Sequence, residues 1–272
     1  MKTKIKLLLL GFISLFLTVE MVVAQDTVET TPTSLPGFET FIFRKVGDNE
    51  LRLHVVKPKG WSSTDNRPCM IFFFGGGFQI GIPRPGWAQK AADMGIIGIV
   101  PDYRTKSRFG GSPNDCRADG RSAVQWVIDH AIDLGIDPNK IICGGFSAGG
   151  DIAAWTAIPT SGPGSNDPAP TIRPIALVLL AAGTNLSTYP MPAQMPATIM
   201  FHATGDKTIP IKNSIAFREM MVKNGNRCEL LTFEGLGHTF FSGGKFGAAG
   251  DSADTKCTAD IQTFLISLGL VK

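Results

Sequence analysis

Residues 141–151 read Ile-Ile-Cys-Gly-Gly-Phe-Ser-Ala-Gly-Gly-Asp, an apolar run of strand type that ends in glycines around one serine. The following residues, 151–155, have helical character. Gly145-Phe-Ser147-Ala-Gly149 is therefore a G-x-S-x-G pattern between a strand and a helix, the context in which it indicates a nucleophilic serine. Such a tight turn strains the serine backbone and leaves no room for a Cβ two residues to either side, a problem that glycine avoids. The alternative is an ordinary glycine-rich turn.

Strands and helices alternate along the rest of the chain. Phe41–Val46 and Leu51–Val56 predict an antiparallel ribbon at the N-terminal edge. The pattern predicts an α/β fold with a mostly parallel central sheet and helices on both faces. The inserts at 159–172 and 181–196 lack helical periodicity, so we expect no lid domain and an open site. Further strands are predicted at 69–74, 96–100, 140–143, 174–180, 197–202 and 229–233, and helices at 87–94, 116–132, 211–223 and 254–268.

The N-terminal residues resemble an export signal. A basic segment at 1–6, an apolar segment at 7–17 and small residues at 22–24 predict a signal peptide over 1–24 and hence a periplasmic or secreted protein without a stable membrane anchor. Polar, proline-bearing residues 25–36 predict a flexible spacer, which leaves 37–272 as one catalytic domain. Loss of three lysines and one glutamate with the signal lowers the formal charge from +3 to +1. This near-neutral balance indicates neither a nucleic-acid nor an anionic-membrane partner.

The chain has five cysteines, an odd number that leaves at least one unpaired. Export permits disulfides, and Cys228 with Cys257 is the pair we expect. Cys143 lies in a predicted central strand and is expected to be a buried apolar residue. No C-x-x-C spacing occurs, so we expect no zinc site.

A nucleophilic serine needs a base, and the chain has four histidines. In open α/β sheets, catalytic groups gather at the carboxyl ends of the strands. His54 lies inside the predicted ribbon, His130 near the end of a helix, and His202 in an apolar run where we expect local hydrogen bonds. His238 lies in a glycine-flanked loop just after the last predicted strand, and is the predicted base.

The base must be oriented by a carboxylate. Asp206 lies in the loop after another strand, where the alternative is an Asx turn or a helix N-cap. Glu234 is too near His238 in sequence, and Asp251 lies in a Gly/Ala stretch, so both are weaker candidates. Ser147, Asp206 and His238 also follow the chain order that this fold predicts for a triad.

A tetrahedral oxyanion needs preorganised N–H donors. The N–H of Ala148, directly after the serine, is one candidate. Gly75-Gly-Gly77 follows a buried strand and would let further backbone N–H groups approach a substrate without side-chain obstruction. The alternative for these glycines is a simple turn. Phe72, Phe74 and Phe78, around the same loop, either shape a small acyl pocket or belong to the core.

Together these parts resemble the α/β-hydrolase fold, and within it the esterase and lipase families with a His-Gly-Gly-Gly motif before the nucleophile. The resemblance covers about residues 41–268. The chain most resembles small exported bacterial carbohydrate acetylesterases and feruloyl-type esterases. Its motifs here are Phe74-Gly75-Gly76-Gly77, Asp102-Tyr-Arg104, Asp119 with Trp126, Gly145-Phe-Ser147-Ala-Gly149-Gly150, Asp206 before Pro210, and Gly237-His238-Thr-Phe-Phe241.

The resemblance implies that Ser147 is the nucleophile, that Asp206 and His238 complete the triad, and that Gly76, Gly77 and Ala148 form the oxyanion hole. Phe74 stands where the motif usually has histidine, so we expect apolar packing in place of a hydrogen bond at that point of the loop.

The resulting hypothesis is hydrolysis of short acyl esters, such as acetyl groups on small molecules or polysaccharide, through an acyl-enzyme and without metal or organic cofactor. The alternatives are a feruloyl or aryl esterase, a serine peptidase, an interfacial lipase and a non-catalytic ligand-binding protein. Peptidases on this fold usually carry an added domain, and lipases an amphipathic lid. Binding proteins commonly lose a triad residue, whereas this chain has all three.

Overall fold

In the described part of the computed structural model, eight strands form a central sheet with strand order β1-β2-β4-β3-β5-β6-β7-β8. The structure describes residues 30–159, 169–184 and 194–272, with Gly243, Gly244 and Phe246 described by backbone alone. The predicted signal peptide at 1–24 lies outside the described residues, as do parts of the predicted spacer and of both inserts. The strands are β1 Glu39–Val46, β2 Asn49–Val56, β3 Arg67–Phe73, β4 Ile97–Pro101, β5 Ile136–Phe146, β6 Ala176–Leu180, β7 Ala197–Ala203 and β8 Cys228–Phe233.

The strand pairing matches the predicted architecture. β1 and β2 form an antiparallel hairpin, and β2 pairs antiparallel with β4. All other pairs, from β4–β3 to β7–β8, are parallel. β5 lies between β3 and β6, with Phe73 opposite Gly145 and Leu180 opposite Phe146. The carboxyl ends of β3, β5 and β6 therefore meet at one edge of the sheet.

The described helices cover both faces of the sheet, which confirms the predicted α/β fold. Alternate residues of β3 separate the two cores: Ile71 and Phe73 face one buried cluster, Met70 and Phe72 the other. Burial on both faces explains why β3, β4 and β6 are almost continuously apolar. The helices are α1 Gly86–Asp93, α2 Lys106–Phe109, α3 Pro113–Asp129, α4 Ala131–Leu134, α5 Ala148–Thr156, α6 Lys212–Lys223 and α7 Gly243–Ser267.

Several boundaries differ from the prediction. α3 begins earlier than expected because Ser112 is its N-cap and forms a capping box with Asp115, with Pro113 as the first helical residue. α7 begins at Gly243 and kinks at Gly247, where φ is 54°, so only its second part matches the predicted helix at 254–268. No helix in the described part of the chain is both long and apolar enough to cross a membrane.

The five cysteines are all unpaired and buried, so the expected Cys228–Cys257 disulfide is wrong. Cys228 packs beside Met200, its Sγ 3.7 Å from the methionine Sδ, in the core on one face of the sheet. Cys257 is on α7 in the core on the opposite face, so the sheet separates the two thiols. Cys143 is buried in β5, as expected.

Candidate active site

Ser147 occupies a strained turn between β5 and α5. Its φ and ψ of 54° and −121° lie where residues other than glycine are rare and strained. The end of β6 holds this conformation, because Ser147 N–H donates to Leu180 O at 3.0 Å. The Ser147 carbonyl accepts from Gly183 N–H, also at 3.0 Å. The turn is thus fixed by the neighbouring strand and by the residues that follow it.

Two glycines provide the space for this turn. A Cβ on Gly145 would lie 2.2 Å from the Gly149 carbonyl oxygen, and a Cβ on Gly149 would lie 2.2 Å from the Phe73 carbonyl oxygen. Both distances are far inside van der Waals contact, so any side chain here would displace backbone. This is the steric requirement that the spacing of the G-x-S-x-G pattern predicted.

His238 lies beyond the end of β8 and links the other two predicted triad residues. Its Nε2 lies 2.9 Å from Ser147 Oγ, and its Nδ1 lies 2.7 Å from Asp206 Oδ2. Because a carboxylate oxygen only accepts, Nδ1 carries the proton and Nε2 is left as an acceptor for the serine hydroxyl. The Phe146 ring packs against the imidazole with centroids 4.9 Å apart. This arrangement can accept the proton of Ser147.

Asp206 is buried at the end of β7, and backbone donors fix its carboxylate. Oδ1 accepts from Thr208 N–H at 2.8 Å and from Ile209 N–H at 2.9 Å. Burial raises the pKa of Asp206, but the hydrogen bonds from His238 and these two N–H groups outweigh it, so the pKa lies below its ordinary value. The carboxylate is therefore ionised at neutral pH. Glu234 and Asp251, the weaker candidates, are exposed.

The glycine loop after β3 presents backbone N–H groups. Gly76 has a φ of 134°, and a Cβ there would lie 2.0 Å from the Ile80 carbonyl oxygen, so only glycine fits. Gln79 N–H donates to Gly76 O at 3.0 Å and closes the turn. Among the described residues, none accepts a hydrogen bond from the N–H of Gly76, Gly77 or Ala148, the three predicted oxyanion donors.

Phe74, in the position of the usual histidine, holds the loop through Tyr103. The two rings stack with centroids 4.0 Å apart and planes 11° apart. The buried Tyr103 hydroxyl donates to Phe74 O at 2.8 Å. The expected apolar packing is therefore present, together with a hydrogen bond from a residue that the sequence did not assign to the site. The position of Tyr103 within the Asp102-Tyr-Arg104 motif was the sequence feature that could have pointed to it.

A cavity of about 640 Å³ opens beside this loop. Phe72 and Phe74 line this cavity, whereas Phe78 does not. For Phe72 and Phe74, this agrees with the first of the two predictions made for these phenylalanines, that they shape a pocket. Sequence reasoning missed three further lining aromatics, from α1, from the residue before Ser147 and from the segment after His238: Trp87, Phe146 and Phe241. No group of three His, Cys, Asp or Glu side chains in the described residues is placed to hold a metal ion.

The other three histidines lie in the elements predicted for them. His54 is buried in β2 beside Thr40, and His130 follows α3 and stacks on Trp126. His202 is buried with local hydrogen bonds, as expected, but it also approaches the site. Its Nε2 lies 3.2 Å from Asp206 Oδ2, a contact that the sequence did not predict.

The parallel sheet, the strained serine turn and the histidine–aspartate pair define an α/β hydrolase. The BD-FAE family matches residues 53–164, and a family described as phospholipase/carboxylesterase matches residues 117–244. The solved structure of a thermophilic esterase from Thermogutta terrifontis is similar to this chain at 32% identity and a TM-score of 0.79, covering 90% of this chain and 97% of that one. The chain therefore belongs to the α/β-hydrolase family of serine carboxylic-ester hydrolases.

Other relatives are longer proteins. A probable isoprenylcysteine alpha-carbonyl methylesterase from Arabidopsis thaliana is 28% identical over 233 residues, which are 69% of this chain and 48% of that protein. Lipase 5 from Diutina rugosa is 37% identical over 115 residues, which are 36% of this chain and 21% of the lipase. The chain thus spans about half the length of the methylesterase and about a fifth of the length of the lipase.

Proposed function

We propose that this protein hydrolyses carboxylic esters through an acyl-enzyme on Ser147, with His238 as base and Asp206 as orienting acid. The observation that carries the proposal is the hydrogen-bonded series from Ser147 Oγ to His238 Nε2 and from His238 Nδ1 to Asp206 Oδ2. The two ring nitrogens have different roles. Nδ1 donates to the carboxylate, and Nε2 can accept the proton of the serine hydroxyl.

In the first half of the reaction, His238 Nε2 takes the hydroxyl proton while Ser147 Oγ attacks the acyl carbonyl carbon. The carbonyl oxygen becomes an oxyanion, and the N–H groups of Gly76, Gly77 and Ala148 are the proposed donors to it. Asp206, ionised at neutral pH, stabilises the imidazolium that forms. The tetrahedral intermediate then collapses, and the imidazolium gives its proton to the departing alcohol oxygen. An ester bond between the acyl group and Ser147 remains.

In the second half, His238 Nε2 takes a proton from water, and the resulting hydroxide attacks the acyl carbon. Collapse of the second tetrahedral intermediate returns the proton to Ser147 Oγ and releases the carboxylic acid. No step needs a group outside the chain, the ester and water.

Ser147→Ala tests the proposal. The variant should lose at least about a thousandfold in kcat on p-nitrophenyl acetate while keeping the unfolding temperature of the parent protein. The solved structure of Thermogutta terrifontis esterase 2 phosphorylated by paraoxon suggests a second readout. Paraoxon should add one diethylphosphoryl group to the parent protein, located at Ser147 by peptide mass, and none to Ser147→Ala. Undiminished turnover by Ser147→Ala would rule the nucleophile out.

For the substrate, we infer a preference for short acyl groups on carbohydrate or similar extracellular esters. Esterase 2 has been solved with propionate and with butyrate bound, which supports short acyl chains for a protein of this family. A series of p-nitrophenyl esters from acetate to laurate should show kcat/KM falling with chain length, and acetylated polysaccharide should release acetate. Faster turnover of laurate than of acetate would contradict this preference.

A second candidate, hydrolysis of feruloyl or other aryl esters, is favoured by the aromatic lining of the cavity beside the glycine loop. Trp87 stacks on Phe72 with centroids 5.5 Å apart, and the edge of Phe241 meets the Phe146 ring at 5.0 Å. Rings that line a cavity give a planar aromatic group an apolar wall to pack against. Methyl ferulate and p-nitrophenyl acetate, assayed with Trp87→Ala, separate the two candidates. An aryl esterase should lose ferulate turnover selectively, whereas an acetylesterase should show poor ferulate turnover from the start.

The place of action is proposed to be outside the cytoplasm, because residues 1–24 have the pattern of a signal peptide. Expression with and without these residues, followed by cell fractionation, tests this proposal. Export of the full chain, with a mature protein that begins at Gln25, is the expected result. Retention of the full chain in the cytoplasm with its first residues intact would contradict it.

A further inference from the structure

His202 lies beside the proposed acid, and its ring contacts the Asp206 carboxylate. The side chain is fully buried at the end of β7, four residues before Asp206. Its Nε2 lies 2.9 Å from Ile209 O and 3.2 Å from Asp206 Oδ2. Its Nδ1 lies 2.7 Å from the hydroxyl oxygen of Ser214, a buried residue of α6. One ring thus joins a strand end, the loop of the acid and a helix.

These contacts fix the tautomer of His202. Nε2 faces a carbonyl oxygen and a carboxylate oxygen, which are both acceptors, so the ring proton must lie on Nε2. Nδ1 is then an acceptor, and the Ser214 hydroxyl donates to it. The opposite tautomer would set the Nε2 lone pair against two oxygens. Burial lowers the pKa of His202 although Ile209 O and Asp206 favour the protonated ring, so the neutral form persists at neutral pH.

Ile209 closes a ring of hydrogen bonds between His202 and the acid. Its N–H donates to Asp206 Oδ1, while its carbonyl accepts from His202 Nε2. The position of the Asp206 carboxylate therefore depends on the loop that His202 holds. Asp206 Oδ2, which accepts from His238 at 2.7 Å, also lies 3.2 Å from His202 Nε2. Both histidines thus act on one carboxylate oxygen.

We propose that His202 is a positioning residue for ester hydrolysis: its Nε2–H, oriented by Ser214, fixes the loop of Asp206 and thereby the hydrogen bond from His238 to the carboxylate. His202 touches neither substrate nor the reacting atoms, so its effect passes through Asp206. The inference rests on the proposed function of Ser147, Asp206 and His238. It predicts that the loss of this N–H lowers kcat and leaves substrate binding little changed.

Two isosteric substitutions test the proposal. A glutamine amide nitrogen lies as many bonds from Cβ as His202 Nε2, whereas an asparagine amide nitrogen corresponds to Nδ1. His202→Gln should therefore keep the donor to Ile209 O and retain kcat within about fivefold, because an ordinary hydrogen bond contributes a small net free energy. His202→Asn should lose the donor and lower kcat by about 10- to 100-fold, the effect of a small displacement of a catalytic group.

Three further readouts distinguish positioning from simple folding. KM of His202→Asn should stay within about threefold of the parent value, and paraoxon labelling of Ser147 should slow in proportion to kcat. Ser214→Ala, which keeps the histidine, should lower kcat by about three- to tenfold because Nδ1 loses its proton donor. Circular dichroism and thermal unfolding show whether each variant is folded. If His202→Asn does not fold, Ser214→Ala carries the test.

Equal losses in His202→Gln and His202→Asn would overturn the proposal, since the ring would then serve packing alone. Unchanged kcat in folded His202→Asn, or in Ser214→Ala, would overturn it as well. Ser147→Ala distinguishes this failure from that of the proposed function. An inactive Ser147→Ala beside fully active His202 variants rejects only the positioning role, whereas an active Ser147→Ala rejects the triad itself.

Discussion

The Tyr103 hydroxyl donates to Phe74 O at 2.8 Å while the two rings stack with centroids 4.0 Å apart. Phe74 is the last residue before the glycine loop, so Tyr103 holds both the main chain and the side chain at the start of the proposed oxyanion hole. A tyrosine on the neighbouring strand end thus anchors the loop at the residue that usually is histidine. The anchor can be separated into its two parts by substitution.

Tyr103→Phe keeps the stacked ring and removes only the hydroxyl. The buried Phe74 carbonyl then loses its donor, which should cost about 1–3 kcal/mol in the free energy of unfolding. We expect kcat on p-nitrophenyl acetate to fall by about tenfold because the loop donors are less well placed. Urea unfolding and steady-state kinetics measure the two effects.

Phe74→Leu is the matched control, since it removes the stack and keeps the hydrogen bond to the main chain. It should destabilise the protein through the cavity it leaves, with a smaller effect on kcat than Tyr103→Phe. If Phe74→Leu lowers kcat more than Tyr103→Phe does, the stack rather than the hydrogen bond positions the loop.

Gly149→Ala should disrupt the serine turn. Its Cβ would lie 2.2 Å from Phe73 O and 2.3 Å from Phe74 O, so strand β3 or helix α5 would have to move. We expect a loss of more than about 3 kcal/mol in the free energy of unfolding and no detectable esterase activity. The comparison is Gly269→Ala, at a φ of 69° with open space around the Cβ. It should cost only about 1–2 kcal/mol and leave activity intact.

The buried thiols should be unreactive in the folded protein. Burial raises the pKa of Cys116, Cys143 and Cys228 to about 12, so almost no thiolate is present near neutral pH. A thiol reagent such as DTNB should therefore titrate no cysteine in the native enzyme and all five in denaturant. An intact mass lower by two hydrogens, with three reactive thiols in denaturant, would reveal a disulfide that these positions exclude.

The sequence predicted the elements that depend on local pattern. The continuous apolar runs, the strand–helix alternation and the glycine spacing around Ser147 are all local signals, and they yielded the fold and the serine turn. Elimination selected His238 because only one histidine follows a strand end in a loop. Asp206 was chosen by the same topological rule. The structure brings Ser147, His238 and Asp206 within hydrogen-bond distance of one another in series.

Other features depend on distances that sequence spacing does not encode. The contact of Phe74 with Tyr103 arises where two strand ends meet, and that of His202 with Asp206 depends on the path of one loop. The Cys228–Cys257 disulfide was wrongly predicted for the same reason, because the spacing of the two cysteines does not indicate that the sheet lies between them. Side-chain partners across elements required the packed fold.

Acid should destabilise the protein through its buried neutral histidines. Burial lowers the pKa of both His54 and His202 from 6.5, so the unfolded chain binds protons that the folded chain excludes. Stability is therefore full above about pH 6.5 and falls as the pH drops below it. Asp206, with a lowered pKa, has the usual carboxylate behaviour: its contribution is present above about pH 4 and is lost as the pH falls further.

Urea unfolding at pH 7.5 and at pH 5.0 measures this effect. In His54→Asn, the amide nitrogen takes the place of Nδ1, which is hydrogen-bonded to the Thr40 hydroxyl. The stability of this variant should depend less on pH, because one of the two buried imidazoles is absent. Equal stability of the parent protein at both pH values would contradict the buried neutral state of the two histidines.

Asp206→Asn separates the charge of the acid from the fold of its loop. The asparagine oxygen can still accept from Thr208 and Ile209 N–H, so the loop should keep its conformation. The unfolding temperature should fall, because the ionised carboxylate that accepts from His238 is lost. The amide nitrogen would instead face His238 Nδ1 and favour the tautomer with the proton on Nε2, which cannot accept the proton of Ser147. We expect kcat to fall by about ten-thousandfold with little change in KM. Thr208→Ala, which keeps the backbone donor and changes only an exposed side chain, is the control and should retain activity. A loss in Asp206→Asn no greater than that in Thr208→Ala would mean that another group orients His238.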